Sequence, residues 1–145
     1  MDATSLLYPV FAQVALTFIM LIWMGNARLR ALRRGETSLR DIALGEKEAW
    51  PPRVRTVANS YHNQFELPVL FYVLCIFAVL TKAITPLLVT LAWAYIVTRI
   101  AHVAVYTTSN NVHQRFTIFV IGMLILIAMW VLFGWQLFGS PGNAV

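Results

Sequence analysis

The chain has 145 residues, of which 59% are hydrophobic and 12% are charged. Soluble domains are about 45–50% apolar and about 25% charged, so this composition excludes an ordinary soluble domain. The formal net charge of +5 would suit nucleic acid, but in a membrane protein a basic excess marks connections that stay in the cytoplasm. We therefore expect an all-α membrane protein with membrane lipid, and no nucleic acid, among its partners.

Four apolar stretches are each long enough to cross a bilayer, which takes roughly 17–25 helical residues. With their polar flanks they predict a single four-transmembrane-helix bundle over residues 1–145, with spans of about 6–25, 55–81, 84–107 and 115–138. The first stretch is expected to remain as a span, because the residues before it lack the positive charge of a cleavable signal. Cys75 is the only cysteine, so no internal disulfide is possible.

Basic residues are distributed unevenly among the connections. The connection between the first two spans carries eight of them: Arg28, Arg30, Arg33, Arg34, Arg40, Lys47, Arg53 and Arg55. The connection between the second and third spans carries only Lys82. The positive-inside rule then predicts a multi-pass protein of the inner (plasma) membrane, with both termini outside and the long connection in the cytoplasm.

A polar stripe is predicted at the cytoplasmic end of the second helix. Five polar residues recur there at intervals of three or four, as one face of a helix requires: Arg55, Asn59, His62, Asn63 and Glu66. The stripe is also what a solvated helix end in the headgroup region would look like. Glu66 fits that alternative least, because it lies deepest and an unpaired carboxylate is costly in a low-dielectric setting.

The third helix carries a second polar face, formed by Tyr95, Arg99, His102 and Tyr106. An arginine within a span costs about 2.5–3.5 kcal/mol on insertion scales, so it normally faces a partner or a cavity. Two alternatives for Arg99 are snorkelling to the headgroups and a purely structural ion pair with Glu66.

The fourth helix begins near Arg115, which can bind an anion together with the helix N-terminus or serve only as a cytoplasmic anchor. Antiparallel spans bring this helix start, the end of the third helix and the start of the second to one side of the bundle. The resulting electropositive corner, with Glu66 as its acid, suits a small ligand that carries carboxylates and an amine. Apolar helix surfaces beside it would receive a lipophilic second substrate from the bilayer.

Two other functions fit the residues less well. A metal site formed by His62, Glu66 and His102 is disfavoured because the surrounding arginines would repel a cation, so no metal is expected. A small cation transporter would keep an acidic residue near the bilayer midplane, and the first span has none.

Three motifs in the predicted helices resemble one family. They are Asn63-Gln64-Phe65-Glu66-Leu67-Pro68, Arg99-x-x-His102-x-x-x-Tyr106, and Arg115 nine residues after Tyr106. Together with the four spans and the long basic first connection, they are similar to the MAPEG family, the membrane-associated proteins of eicosanoid and glutathione metabolism, in its bacterial type. The resemblance covers essentially the whole chain.

The resemblance implies a homotrimer that binds glutathione as a co-substrate between neighbouring subunits, near the cytoplasmic side. It implies that Asn63 and Glu66 grip the peptide, that Arg99 and Tyr106 hold its carboxylates and backbone, and that Arg115 is the catalytic residue beside the sulfur. A nearby cation favours the thiolate, which is the nucleophile. The remaining residues of the glutathione site would be Arg55, Asn59, His62 and His102.

The predicted function is that of a glutathione-dependent transferase or peroxidase acting on lipophilic electrophiles. Glutathione-using members of the family typically carry arginines where this chain has Asn59 and His62, and this departure motivates an alternative, a non-catalytic lipid-binding or regulatory membrane protein. Phe116 and Phe119 stand where some members have Ser and Tyr, which weighs against prostaglandin-type isomerase chemistry.

Overall fold

The computed structural model describes residues 2–43 and 47–139. Within these residues the chain forms six α-helices, which are α1 (Ala3–Arg33), α2 (Leu39–Ala43), α3 (Pro52–His62), α4 (Leu67–Leu80), α5 (Pro86–Thr107) and α6 (Val112–Phe138). Short 3₁₀ turns occupy Lys47–Ala49, before α3, and Asn63–Phe65, between α3 and α4.

Four spans are long and apolar enough to cross a membrane within the described ranges: α1, α3 together with α4, α5, and α6. The chain is therefore a multi-pass membrane protein with an all-helical fold. At 1.5 Å per residue, the 31 residues of α1 cover about 46 Å, against about 30 Å of hydrocarbon. The helix thus continues beyond the predicted span to Arg33, and its last turns carry arginines.

The basic end of the bundle is the end at which α1 and α5 finish and α3 and α6 begin. Local sequence signals set these boundaries. Pro52 starts α3, where its missing N–H costs nothing. The Asn111 side chain caps α6 by accepting a hydrogen bond from the Gln114 amide at 3.1 Å. Asn110, just before it, has a left-handed backbone (φ +47°), which makes the connection from α5 tight.

The second span is broken where the sequence predicts a continuous helix. Pro68 has no N–H, and its ring would clash with the carbonyl of Gln64 four residues earlier. The helix accordingly ends at His62, tightens into the 3₁₀ turn and restarts at Leu67. The break lies within the predicted polar stripe: Asn63, in the 3₁₀ turn, is half-buried, and Glu66, after the turn, is exposed.

Two apolar clusters hold the helices together, with a polar contact between them along α1. The larger cluster includes Leu6, Phe71 and Met129, and the smaller one, nearer the basic end, includes Met24 and Val103. Between them, Gln13 Nε2 donates a 2.8 Å hydrogen bond to Gln64 Oε1. Gln64 Nε2 in turn donates to the backbone carbonyl of Ser60 at 3.1 Å. This buried amide pair joins α1 to the break in the second span.

Candidate functional site

Arg99 is buried in the bundle, where α5 packs against α6, with 2% of its surface exposed. Its guanidinium carbon lies 5.3 Å from the centroid of the Tyr95 ring and 5.6 Å from that of Phe119. The ring faces stabilise the cation, but Nε and Nη2 have no hydrogen-bond partner in the part of the chain that the structure describes. Arg99 therefore does not snorkel, and it forms no ion pair with Glu66 among the described residues.

Gly122 of α6 provides the space that the Arg99 side chain occupies. A Cβ at this position would clash with Arg99 Nη2 and would lie 2.6 Å from Thr98 Oγ1. Any larger residue would displace the guanidinium or separate the two helices. The position of this cation is therefore set by the packing of α5 on α6.

The α5–α6 cleft is a cavity of about 250 Å³ at the basic end of the bundle. Its polar lining combines Asn63 from the 3₁₀ turn, His102 and Tyr106 from α5, and Arg115 from α6, and Val112, Phe116 and Phe119 complete it. Phe119 also contacts Arg99. The structure thus brings together Asn63, His102, Tyr106 and Arg115, with Arg99 beyond the Phe119 ring.

Arg115 is held from two sides. Its guanidinium carbon lies 4.1 Å from the centroid of the Tyr106 ring, and its Nη1 donates a 2.9 Å hydrogen bond to Asn110 Oδ1. A cation in the first turn of a helix is electrostatically unfavourable, because the helix N-terminus is itself positive. The two contacts offset that cost and concentrate positive potential in the cleft.

His102 lies at the centre of the cleft wall and is 4% exposed. Its ring packs against Tyr106, with centroids 5.8 Å apart, and against Phe119 at 6.1 Å. One helical turn separates His102 from Arg99 and another separates it from Tyr106. The face predicted on the third helix is therefore buried throughout. Arg99, His102 and Tyr106 contact α6, whereas Tyr95 stacks on Phe71 of α4, with ring centroids 4.9 Å apart.

The rest of the predicted polar stripe lies outside this cleft. Asn59, His62 and Glu66 are exposed on the outer surface of the protomer, and Arg55 is half-buried without lining the cleft. Glu66 forms no ion pair within the described part of the chain. We call Asn59, His62 and Glu66 the outer stripe. None of its three residues lines the α5–α6 cleft with Arg115.

Two residues that position the site were not identified by sequence reasoning. Gly122 is one of several small residues in an apolar span, and only the register of α6 on α5 shows that it faces Arg99. Asn110 carried a weak signal, because asparagine tolerates the left-handed conformation found there. The hydrogen bond that Asn110 accepts from Arg115 could not be predicted from the spacing of the two residues in the sequence.

The described residues contain no group of three or more His, Cys, Asp or Glu side chains placed to hold a metal ion. His62 and Glu66 are exposed while His102 is buried. What the cleft offers a ligand is guanidinium, amide, imidazole and phenol groups, which suits an anion with several carbonyl or carboxylate oxygens.

Comparison with known proteins gives one match. No curated protein and no solved structure matches the chain. The MAPEG family matches residues 6–135, a range that takes in most of the chain, the α5–α6 cleft and the outer stripe. The order of the motifs, the helical fold and the extent of this match together identify the chain as a member of the MAPEG family.

Proposed function

We propose that the protein is a membrane-embedded, glutathione-dependent transferase or peroxidase that acts on lipophilic electrophiles. Membership of the MAPEG family supports a function in glutathione or eicosanoid metabolism. The finer proposal is supported by the cationic α5–α6 cleft and by Arg99, which lies beyond the Phe119 ring of that cleft. Arg99 is a buried guanidinium with two nitrogens that have no hydrogen-bond partner among the described residues. A desolvated cation without a counter-ion is costly, so a bound anion that pairs with it is strongly favoured.

Glutathione provides two carboxylates, two peptide groups, one ammonium and one thiol. In the proposed complex, Arg99 and Tyr106 bind the carboxylate and backbone oxygens, and the Asn63 amide binds a peptide group. His102 lies between these groups and contributes its imidazole to the same wall. Arg115 lies beside the sulfur and stabilises the thiolate over the thiol.

The proposed chemical step is attack of the thiolate on an electrophilic carbon. The thiol proton leaves to water, a carbon–sulfur bond forms, and the leaving group departs with its electron pair. In the peroxidase variant, two glutathione thiols reduce a lipid hydroperoxide to an alcohol and water and are oxidised to the disulfide. Phe116, which is 64% exposed at the rim of the cleft, gives a lipophilic substrate an apolar surface beside the sulfur.

A neighbouring copy of the chain is proposed to complete the site in a homotrimer. The cleft of about 250 Å³ is below the roughly 300–1,000 Å³ of typical ligand pockets, so a full-sized site needs further walls. The outer stripe places exposed polar groups where the apolar α4 begins, which favours a protein neighbour over lipid. Glu66 would then receive the glutathione ammonium across the subunit interface.

The basic end of the bundle is proposed to face the cytoplasm. It carries most of the arginines of the chain, whereas the opposite end carries Lys82, and basic connections are retained on the cytoplasmic side. Glutathione would thus reach the cleft from the cytoplasm, and the second substrate would reach it from the bilayer.

Calorimetry with the purified protein in detergent tests the proposal. Glutathione at millimolar concentration should bind, an absorbance band of the thiolate should appear, and a generic aromatic electrophile should be turned over. Glu66→Gln should weaken glutathione binding without changing the melting temperature of the unliganded protein, whereas Glu48→Gln, an exposed acid of the first connection, should change neither. Absence of binding to the wild-type protein would refute the proposal.

A second candidate function is lipid binding without catalysis. A groove of about 570 Å³ between α1 and α4 is lined almost entirely by apolar side chains, among them Val14, Phe18 and Ile76. Asn59 and His62 replace the arginines of glutathione-using members, which also favours this candidate. Co-purified lipid, together with no thiolate absorbance on addition of glutathione, would support it over the enzyme.

A further inference from the structure

A second polar cavity, which we call the basic cleft, lies between the ends of α1, α3 and α5. It has a volume of about 480 Å³. Arg30 and Arg34 reach it from the end of α1, Arg53 from the start of α3, and Asn110 from the turn after α5. None of these four residues is proposed to contact glutathione, although Asn110 also accepts the hydrogen bond from Arg115. Tyr106 forms part of the wall of both clefts.

The charge in the basic cleft is only partly compensated. Both carboxylate oxygens of Glu36 lie 2.6 Å from Arg53 Nη2, and one of them lies 3.9 Å from Arg34 Nη1. Arg30 forms no ion pair within residues 2–43 and 47–139. Three guanidinium groups therefore share one carboxylate, which leaves about two positive charges available to an anion.

The donors available to a ligand can be identified from the existing hydrogen bonds. The hydroxyls of Thr56, Thr107 and Thr108 donate to carbonyls of their own helices, so they offer no proton. Asn110 accepts the bond from Arg115 through Oδ1, which leaves its amide N–H groups free to donate. The ligand would thus meet guanidinium and amide N–H groups, the combination that binds phosphate oxygens.

The position of the cleft along the bundle indicates the source of the phosphate. Trp23 and Val57 line it beside the arginines, and an aromatic ring next to cationic groups at a helix end is typical of the headgroup level. The apolar part of α1 continues directly from Trp23 towards the bilayer. A phosphate at this level can be joined to acyl chains that lie along the helices.

We propose that the basic cleft binds the phosphate of an acidic phospholipid, with Arg30 and Arg34 as its principal ligands and Asn110 as an additional donor. A basic pocket between spanning helices is the feature that retains such headgroups. The lipid would fasten the ends of α1, α3 and α5 to one another. The residues that would bind the phosphate are distinct from those proposed to bind glutathione.

The test compares two double variants that remove the same charge from the same segment. In Arg30→Gln/Arg34→Gln both changes lie in the cleft, whereas in Arg33→Gln/Arg40→Gln both lie on exposed surface outside it. Phosphatidylglycerol and phosphatidylcholine are titrated separately onto delipidated protein in detergent, and binding is followed by native mass spectrometry. Thermal unfolding of each variant verifies that it is folded. If the double variant Arg30→Gln/Arg34→Gln does not fold, the single variant Arg30→Gln replaces it in the comparison.

The wild-type protein should bind phosphatidylglycerol more tightly than phosphatidylcholine, whose choline group offsets the phosphate charge. The cleft variant should lose about tenfold more affinity for phosphatidylglycerol than the surface variant does. Equal losses in the two variants would show a diffuse attraction to basic residues and overturn the proposal. Displacement of the lipid by millimolar inorganic phosphate would overturn its assignment to a membrane lipid. Glutathione binding, measured on the same samples, is expected to be retained in both variants.

Discussion

The guanidinium of Arg115 lies against the face of the Tyr106 ring, with its central carbon 4.1 Å from the ring centroid. The hydrogen bond to Asn110 fixes the guanidinium on this ring from the other side. Only one of its donor groups is occupied by that bond, so the remaining N–H groups are available to a ligand in the α5–α6 cleft. The side chain is thereby oriented before any ligand arrives, which reduces the cost of ordering it on binding.

Arg115→Ala is expected to reduce turnover far more than glutathione binding. Loss of a charged donor that stabilises developing negative charge commonly lowers kcat about 10²-fold, whereas the other residues of the cleft would still hold the peptide. Steady-state kinetics and calorimetry on the same preparation measure the two effects. Arg33→Ala, at an exposed position of the same end of the bundle, is the control. Parallel losses of binding and turnover would assign Arg115 to binding alone.

Arg99→Met is expected to preserve or raise the stability of the unliganded protein and to abolish its stabilisation by glutathione. Methionine fills a similar volume without leaving a desolvated cation unpaired. A ligand at about 100 times its Kd stabilises the protein by about 2.7 kcal/mol, so the difference is readily seen in thermal unfolding with and without glutathione. A large destabilisation of the unliganded variant would mean that Arg99 is structural.

Gly122→Ala is expected to destabilise the bundle, although alanine is the better helix former. The added methyl group would lie 3.1 Å from Arg99 Cζ, and overpacking of this kind costs about 1–3 kcal/mol. Gly134→Ala in the same helix meets nothing within 4 Å, so it should be neutral or gain up to about 1 kcal/mol. Thermal unfolding of both variants in one detergent makes the comparison. A stable Gly122→Ala protein would contradict this packing of α5 on α6.

The hydrogen bond between Gln13 and Gln64 can be measured by a double-mutant cycle. Gln64→Leu leaves the buried Gln13 amide unpaired, and Gln13→Leu leaves Gln64 Oε1 without its donor, whereas the double variant removes both amides. Coupling energies between buried polar groups of membrane helices average about 0.6 kcal/mol and reach about 1.7 kcal/mol. We expect a value in that range from unfolding of the four proteins. Additive effects would indicate that the pair contributes nothing to joining α1 to the second span.

The sequence predicted the parts of the fold that depend on composition and on helical period. Long apolar runs predicted the four spans. The spacing of Arg99, His102 and Tyr106 predicted one face of α5, and all three residues contact α6. Those inferences hold because both hydropathy and the 3.6-residue repeat are properties of a single segment. Family membership followed from the same residues and is confirmed by the match over residues 6–135.

The features that the sequence did not predict depend on how separate segments of the chain pack together. Pro68 was visible in the sequence, but the rotation it imposes between Asn63 and Glu66 depends on how the chain re-forms its helix after the break. Gly122 could not be paired with Arg99 without the register of α6 on α5. The roles of the site residues and the trimer stay predictions, because they involve groups that a single protomer does not bring together.

Tyr106 has a consequence for regulation, because its phenol ring lines both the α5–α6 cleft and the basic cleft. Occupancy of either side that alters the tilt of this ring also alters the free energy of occupying the other. Thermodynamic linkage makes this effect reciprocal. If a bound headgroup increases the affinity for the thiol peptide, the bound peptide increases the affinity for the headgroup by the same factor. Membrane composition would then act as an effector of the proposed glutathione binding.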